Sequence, residues 1–244
     1  LGVTVFTLLY RCQEFGAPAP LQDVLRAVRL VRAHAAEFGL NPAHIGVLGG
    51  SAGSHVAGSA GTLYDDPLGK TGAPLDSVSG RPDFMVLIFS VLSMEDPNAS
   101  AASRKALLGA NPTPEMMEHF SIERQVTPNT PPAFLIHTQQ DTTVKLENEL
   151  QLYAALRKNN VPAELHLYPL GTHGSGEDPN FGPTALWPKL CEEWMRFNGW
   201  VPTSPTSLMK VQTAAEASAK GARAGGRRGT PAPGTDRTPS AAAK

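Results

Sequence analysis

A glycine-rich turn at residues 49–53 constrains this chain more than any other feature of its sequence. The turn reads Gly-Gly-Ser-Ala-Gly and stands between the apolar run 45–48 and the small-residue segment 54–60, which is typical of a helix. A sharp turn from a strand into a helix needs glycines around its centre, because neighbouring backbone passes closely there. The pattern predicts that Ser51 is held in a strained conformation that lifts its hydroxyl out of the sheet.

This turn has the form of a nucleophile elbow, with glycines at Gly49, Gly50 and Gly53. The residue after the serine is Ala52, whose N–H then lies at a helix N-terminus. Backbone donors and the helix dipole at such a terminus stabilise an oxyanion. We therefore predict Ser51 as a nucleophile and the Ala52 N–H as part of an oxyanion hole.

A serine hydroxyl is a weak nucleophile at neutral pH, so the prediction requires a histidine base and a carboxylate that orients it. Asp141 follows the apolar run 133–138, and His173 follows the apolar run 165–170. Both residues lie just beyond the carboxyl end of a predicted strand, where open α/β sheets build their sites. The chain order Ser51, Asp141, His173 completes a predicted catalytic triad.

Short β-branched or aromatic runs alternate along the chain with segments whose apolar residues recur at helical spacing. This alternation predicts an α/β fold with a mostly parallel sheet covered by helices on both faces. The predicted strands are 2–10, 44–49, 83–90, 132–138 and 163–169. The predicted helices are 20–35, 52–63, 101–109, 144–159 and 184–197.

Charge is distributed unevenly along the 244 residues, although the formal net charge is only −1. Residues 204–244 hold seven Lys and Arg against two acidic residues, and they consist mainly of Ala, Gly, Pro, Ser and Thr. So few large apolar residues do not offset the cost of chain ordering. We predict a catalytic domain at 1–203 and a disordered basic tail at 204–244. We expect neither nucleic acid nor a membrane as a partner, because the whole-chain charge is near zero and the tail has no aromatic residue to stack on bases.

Metal and cofactor chemistry has little support in the sequence. Two cysteines, Cys12 and Cys191, are too few for a disulfide framework or a Cys-rich zinc site. Dinucleotide-binding, phosphate-loop and metalloprotease motifs are also absent from the sequence, so we expect no metal and no cofactor. The histidines His55, His137 and His166 lie inside predicted helices or strands, and we interpret them as structural.

Four segments resemble bacterial α/β-hydrolases of the acetyl-xylan esterase and feruloyl esterase type, which are relatives of the hormone-sensitive-lipase-like carboxylesterases. These segments are residues 18–32, 45–55, 125–132 and 163–168. The resemblance implies an α/β-hydrolase fold over residues 1–203. It also implies a carboxylic-ester hydrolase that uses Ser51, Asp141 and His173 on short acyl esters or on acetylated polysaccharides such as xylan. Members often act on biomass, which favours a secreted or periplasmic location.

The sequence departs from this family pattern in two respects. Ser54 and Ser175 stand where members commonly have a glycine and an aromatic residue, so we expect an altered acyl pocket. The His-Gly-Gly-type loop that supplies further oxyanion donors is absent, and the strand-like run 2–10 directly follows Leu1. These features predict a hydrolase domain that is incomplete at its N-terminus, lacks its first strands and has a gap in the middle of its sheet.

Three functions follow from these observations. The first is a serine esterase that works through an acyl-enzyme. The second is an inert hydrolase fragment or binding module without a full oxyanion hole, and the third is a serine peptidase of the same fold. The sequence leaves the acyl and alcohol specificity and the oligomeric state open.

Overall fold

The structure, a computed structural model, describes residues 2–176 and 178–202. Its strands and longer helices follow the order α1 (Ala19–Ala33), β1 (Gly46–Gly50), α2 (Ala52–Thr62), β2 (Phe84–Ile88), α3 (Ala101–Leu108), α4 (Pro114–His119), β3 (Ala133–Thr138), α5 (Glu147–Lys158), β4 (Ala163–Tyr168) and α6 (Trp187–Phe197). Short 3-10 helices lie at Pro67–Gly69, Pro74–Ser77, Ile122–Arg124 and Pro179–Leu186. The predicted tail at 204–244 lies outside the described residues, so the domain boundary after residue 203 stays a prediction.

The four strands form one parallel sheet in the order β1-β2-β3-β4. Gly49 of β1 lies opposite Leu87 of β2, which lies opposite Leu135 of β3 and then Leu165 of β4. Because the strands are parallel, their carboxyl ends meet at one edge of the sheet. The segments that carry Ser51, Asp141 and His173 all leave the sheet at this edge.

Side chains alternate between the two faces of the sheet, and helices bury both faces. On one face, Leu87 packs with Leu152 of α5 in a cluster that also includes α2. On the other face, Val86 and Phe134 pack with Trp194 of α6. The predicted α/β class, with a parallel sheet covered on both sides, is confirmed.

The first helix packs mainly on its neighbour α2. Its apolar stripe includes Leu21, Val24 and Leu25, which form one cluster with Val56 and Ala60 of α2. The spacing of these residues is that of one face of a helix, as the sequence predicts. α1 therefore supports the helix that begins directly after Ser51.

The run 2–10, predicted as a strand, is irregular, and this prediction is wrong. Its β-branched and aromatic composition suits a strand, but a strand also needs a hydrogen-bonded neighbour. Among the described residues no strand pairs with this run, and Leu9 is 93% exposed. The described sheet is continuous from β1 to β4, without the expected gap in its middle. Its β1 edge is open, and Leu48 on that edge is 64% exposed.

Two helices differ from the sequence-based expectation. α4 was not predicted, although Thr113 caps it by accepting a hydrogen bond from the Met116 N–H at 3.3 Å. α5 begins at Glu147 rather than at residue 144. Within residues 2–176 and 178–202, none of the helices combines the length and apolar character needed to cross a bilayer.

Candidate active site

The turn between β1 and α2 holds Ser51 in a strained backbone conformation, with φ 54° and ψ −125°. A positive φ is unfavourable for a residue with a Cβ and persists only where the surroundings enforce it. Here the Ser51 N–H donates to the Ile88 carbonyl at 2.9 Å, and the Ser51 carbonyl accepts from the Val91 N–H at 3.3 Å. These two hydrogen bonds fix the serine against the segment that follows β2.

The three glycines of the turn have different steric roles. A Cβ added to Gly49 would lie 2.2 Å from the carbonyl oxygen of Gly53, so only glycine fits at position 49. A Cβ on Gly53 would meet nothing within 4 Å, and one on Gly50 would come no closer than 3.8 Å to the Ile88 carbonyl. The close backbone approach predicted for the elbow is present, but it requires glycine on one side only.

Ser54 stabilises this turn from within the core. Its side chain is fully buried, and its Oγ donates to the Gly49 carbonyl at 2.7 Å and accepts from the Ile88 N–H at 3.2 Å. The hydroxyl therefore links β1 to β2 beneath the elbow. The side chain points between the strands, and the expected effect of Ser54 on the acyl pocket stays a prediction.

The structure joins the three predicted triad residues in one chain of hydrogen bonds. His173 Nε2 lies 2.8 Å from Ser51 Oγ, and His173 Nδ1 lies 2.7 Å from Asp141 Oδ2. With its proton on Nδ1 and donated to Asp141, the ring presents the Nε2 lone pair to the serine hydroxyl. The Asp141 side chain is fully buried, whereas that of His173 is 23% exposed. This arrangement can take a proton from Ser51 at a position that solvent reaches.

Backbone donors fix the orientation of the Asp141 carboxylate. Its Oδ1 accepts from the Thr143 N–H at 2.8 Å and from the Val144 N–H at 2.9 Å. Its Oδ2 is thereby left to face the histidine. Each carboxylate oxygen has a defined partner, so the carboxylate cannot rotate without losing a hydrogen bond.

Side chains also tie the loop that carries His173 to the loop that carries Asp141. Thr138 Oγ1 donates to the Gly171 carbonyl at 2.6 Å, and Gln140 Oε1 accepts from the Gly171 N–H at 3.2 Å. Gly171 has φ +130°, a backbone conformation that residues with a side chain rarely adopt. These contacts set the distance between the histidine and its carboxylate.

A second histidine–carboxylate pair lies buried behind Asp141. His137 Nδ1 is 2.6 Å from Glu149 Oε2, and both side chains are fully buried. Burial by itself lowers the pKa of the His137 ring, but the hydrogen bond and charge of Glu149 outweigh burial, and the pKa is raised. Sequence reasoning assigned no role to Glu149. Its signal was position: Glu149, Leu152 and Leu156 follow helical spacing on the buried face of α5.

The remaining predicted structural histidines lie apart from this hydrogen-bond chain. His55 is buried in α2, where its Nε2 lies 2.7 Å from the Phe120 carbonyl, and burial lowers the pKa of His55 to about 4. His166 on β4 lies against the Phe134 ring and 3.1 Å from Glu164. Both are interpreted as structural, as the sequence suggests.

The predicted oxyanion donor, Ala52, is the first residue of α2. Its N–H therefore has no acceptor within the helix and is available to a ligand beside Ser51. The role itself stays a prediction. Across the part of the chain that the structure describes, no group of three or more His, Cys, Asp or Glu side chains is arranged to hold a metal ion.

Comparison with known proteins places these residues in a family. The BD-FAE family model matches residues 2–156. The chain belongs to the BD-FAE family. Two curated relatives support this membership: endo-1,4-beta-xylanase B of Butyrivibrio fibrisolvens, 39% identical over 177 residues, and acetylxylan esterase of Xylanibacter ruminicola, 30% identical over 209 residues. The alignments cover 71% and 84% of this BD-FAE chain, which spans only 28% and 40% of those two relatives.

Solved structures agree with the family. The acetyl ester-xyloside bifunctional hydrolase from Caldicellulosiruptor lactoaceticus superposes with a TM-score of 0.74 at 43% identity, over 79% of this chain and 70% of that one. The carboxylesterase Cest-2923 from Lactobacillus plantarum superposes with a TM-score of 0.63 at 25% identity, over 77% and 70% of the two chains. The predicted α/β-hydrolase fold and the resemblance to acetyl-xylan esterases are thereby confirmed for this BD-FAE protein.

Proposed function

We propose that this BD-FAE protein is a serine carboxylic-ester hydrolase that acts on short acyl esters. The observation that carries the proposal is the hydrogen-bond chain from Asp141 through His173 to Ser51, with distances of 2.7 and 2.8 Å. The esterase names of the relatives support the same reaction class.

The proposed reaction proceeds through an acyl-enzyme. Ser51 Oγ bonds to the ester carbonyl carbon while its proton moves to His173 Nε2, and the resulting oxyanion faces the Ala52 N–H. The C–O bond to the alcohol then breaks, and the alcohol leaves with the proton from Nε2. A water molecule repeats the attack with His173 as base, which releases the carboxylic acid and restores Ser51. Asp141 fixes the tautomer of His173 and stabilises the imidazolium in both steps.

Acetyl groups on xylan-type polysaccharides are the proposed natural substrates. Two relatives are named for acetylxylan or acetyl ester-xyloside hydrolysis, and a third is named as a xylanase. Ser51 and His173 are only partly buried, so a side group on a long polymer can reach the hydroxyl. Acetate release from acetylated xylan tests this part of the proposal, and hydrolysis of small esters alone would limit the function to short acyl esters.

Covalent labelling tests the nucleophile directly. A fluorophosphonate probe is expected to modify Ser51, as read by mass spectrometry, and Ser51→Ala is expected to abolish both the label and the turnover of 4-nitrophenyl acetate. Ser79→Ala is the matched control, because Ser79 is exposed and precedes β2, at the opposite end of the sheet from the triad. Label on a different serine would refute the assignment.

The same experiment separates the alternatives. Folded protein that takes no label would support the inert-fragment interpretation, in which the Ala52 donor alone is insufficient. Faster turnover of a peptide anilide than of 4-nitrophenyl acetate would support the peptidase interpretation.

A further inference from the structure

The buried Glu149 carboxylate contacts two parts of the proposed active site: the segment after β2 that holds Ser51, and His137 beside Asp141. Its Oε1 accepts from the Ser90 N–H at 2.6 Å, in the segment after β2 whose neighbours Ile88 and Val91 hold the backbone of Ser51. Its Oε2 lies 2.6 Å from His137 Nδ1. A buried carboxylate in this position contacts both the nucleophile side and the Asp141 side of the site.

His137 faces Asp141 across a short gap. Its Nε2 lies 3.1 Å from the Val144 carbonyl and 3.4 Å from Asp141 Oδ2. Asp141 Oδ2 therefore lies between two imidazole rings, with His173 on one side and His137 on the other. The Phe89 ring packs edge-on against both imidazoles, with centroids 6.1 Å apart in each case.

The partners of His137 determine its proton count. A carbonyl oxygen only accepts, so the hydrogen bond to Val144 requires a proton on Nε2. The Nδ1 atom faces Glu149, and a lone pair there would oppose an ionised carboxylate. Burial raises the pKa of Glu149, but the Ser90 N–H and the His137 ring both favour its ionised form, and the raised pKa of His137 fits a proton on Nδ1 as well. His137 is then an imidazolium, neutralised by Glu149.

The charged groups near this pair are few. Glu149 on α5, Asp141 in the loop after β3 and His173 in the loop after β4 are the titratable groups that face His137 directly or through Asp141. Lys145 is exposed and donates to the Pro97 carbonyl, and Glu147 is exposed on α5. The positive ring is thus the nearest charge to Asp141 on the side opposite His173.

We propose that Glu149 and His137 are positioning residues. The Glu149 carboxylate keeps His137 doubly protonated, and this second cation beside Asp141 weakens the interaction of Asp141 with the proton of His173. Asp141 Oδ2 then shares its charge between two imidazole rings, at 3.4 Å from His137 and 2.7 Å from His173. The kinetic consequence rests on the proposed esterase function, but the protonation state of His137 does not.

Glu149→Gln tests the proposal with little structural change. The carbonyl of the substituted glutamine can still accept from the Ser90 N–H, its amide can donate to His137 Nδ1, and His137 Nε2 can still donate to Val144. Every hydrogen bond is kept while the imidazolium becomes a neutral ring. The substitution therefore removes the proposed charge and keeps the packing.

Nuclear magnetic resonance of protein labelled with ¹⁵N-histidine gives the first readout. In the parent protein at pH 8, one histidine is expected to carry protons on both ring nitrogens, and Glu149→Gln is expected to remove one of them. An unprotonated His137 nitrogen in the parent would refute the proposal, whether or not the protein hydrolyses esters.

The pH profile of kcat/KM gives the second readout. We expect the acidic limb to move to higher pH by about half a unit to one unit in Glu149→Gln, which lowers kcat/KM about three- to tenfold on that limb. The alkaline plateau should change far less. An equal loss at every pH would indicate a purely structural role and refute the proposal.

Glu164→Gln is the matched control. Glu164 also pairs with a histidine, His166, at 3.1 Å, but its side chain is 43% exposed on β4, the strand at the other edge of the sheet from β1. The same substitution there should leave the profile unchanged. If the parent protein takes no fluorophosphonate label, the proposed function fails and the ¹⁵N measurement alone still decides the state of His137.

Discussion

His173 and His137 flank the same carboxylate, yet their surroundings give them opposite properties. His173 lies on a loop after β4, is 23% exposed and presents Nε2 to a hydroxyl. His137 lies inside β3, is fully buried and presents both nitrogens to protein oxygens. An imidazole whose Nε2 faces a hydroxyl can gain and lose a proton at that nitrogen. An imidazole whose two nitrogens both face oxygen acceptors keeps a proton on each of them. The contacts of each ring nitrogen, rather than the residue type, separate a base from a fixed cation.

The two carboxylates differ in the same way. Asp141 accepts hydrogen bonds from two backbone N–H groups and lies 2.7 Å from a histidine nitrogen, which fixes the direction of its carboxylate. Glu149 accepts one backbone N–H and lies deep under α5, where burial raises its pKa and the His137 hydrogen bond opposes that rise. Glu149 therefore depends on His137 more than Asp141 depends on His173.

Removal of the partly exposed His173 imidazole should have the largest effect on turnover. In His173→Ala, kcat for 4-nitrophenyl acetate is expected to fall about 10⁴- to 10⁶-fold, because no other group can take the Ser51 proton. The melting temperature should stay close to that of the parent protein, since His173 is partly exposed. Residual activity above a tenth of the parent value would contradict the assignment of His173 as base.

Conversion of the shared carboxylate should have the next largest effect on turnover. Asp141→Asn can keep the hydrogen bonds from Thr143 and Val144, but its amide then faces His173 Nδ1 and favours the wrong tautomer. We expect kcat to fall about 10⁴-fold. Asp23→Asn is the control, because Asp23 on α1 pairs with the exposed Arg11. Equal activities for the two variants would show that Asp141 does not orient the base.

Loss of the buried carboxylate should instead appear as lost stability. Glu149→Leu leaves the imidazolium of His137 and the Ser90 N–H without partners, which is expected to cost about 3–5 kcal/mol of unfolding free energy. The double variant His137→Leu, Glu149→Leu should recover part of that loss, because the unpaired cation is gone. Urea unfolding followed by tryptophan fluorescence measures all three proteins.

The partly exposed pair of Glu164 and His166 provides the reference for this effect. Glu164→Leu should cost no more than about 1 kcal/mol, since solvent screens its interaction with His166. Similar losses for Glu149→Leu and Glu164→Leu would show that burial does not distinguish the two pairs.

The sequence predicted the residues that follow strands and missed those whose role depends on packing. Ser51, Asp141 and His173 each stand directly after an apolar run, so the order of runs and polar residues was enough to place them at one sheet edge. The run 2–10 has the composition of a strand, but strand formation depends on a neighbour that composition does not specify. Glu149 carries a charge on a helix, which usually indicates an exposed face. Its burial follows from the docking of α5 on β3, which the helical spacing of Glu149 with Leu152 and Leu156 indicates but its charge conceals.

A third histidine, His55, is also buried, but its pH dependence is opposite to that of His137. His55 faces the Phe120 carbonyl and no carboxylate, and burial lowers its pKa from 6.5 to about 4. The His55 ring therefore binds a proton below about pH 6.5 in the unfolded chain but only below about pH 4 in the folded protein. The free energy of unfolding consequently falls as the pH is lowered through this range. His137 has a raised pKa, so its contribution is present at low pH and is lost as the pH rises through its folded value.

This contrast predicts a smaller effect than the loss of Glu149. Between pH 7 and pH 4.5 the parent protein should lose about 2–3 kcal/mol of unfolding free energy through His55, in addition to losses from other groups. His55→Gln keeps a donor for the Phe120 carbonyl and does not titrate, so its stability should fall by that much less over the same range. Urea unfolding at the two pH values measures the difference. An unchanged pH dependence in His55→Gln would show that His55 binds its proton over the same pH range in the folded and unfolded states. The distinction between a histidine that faces a carbonyl and one that faces a carboxylate would then fail.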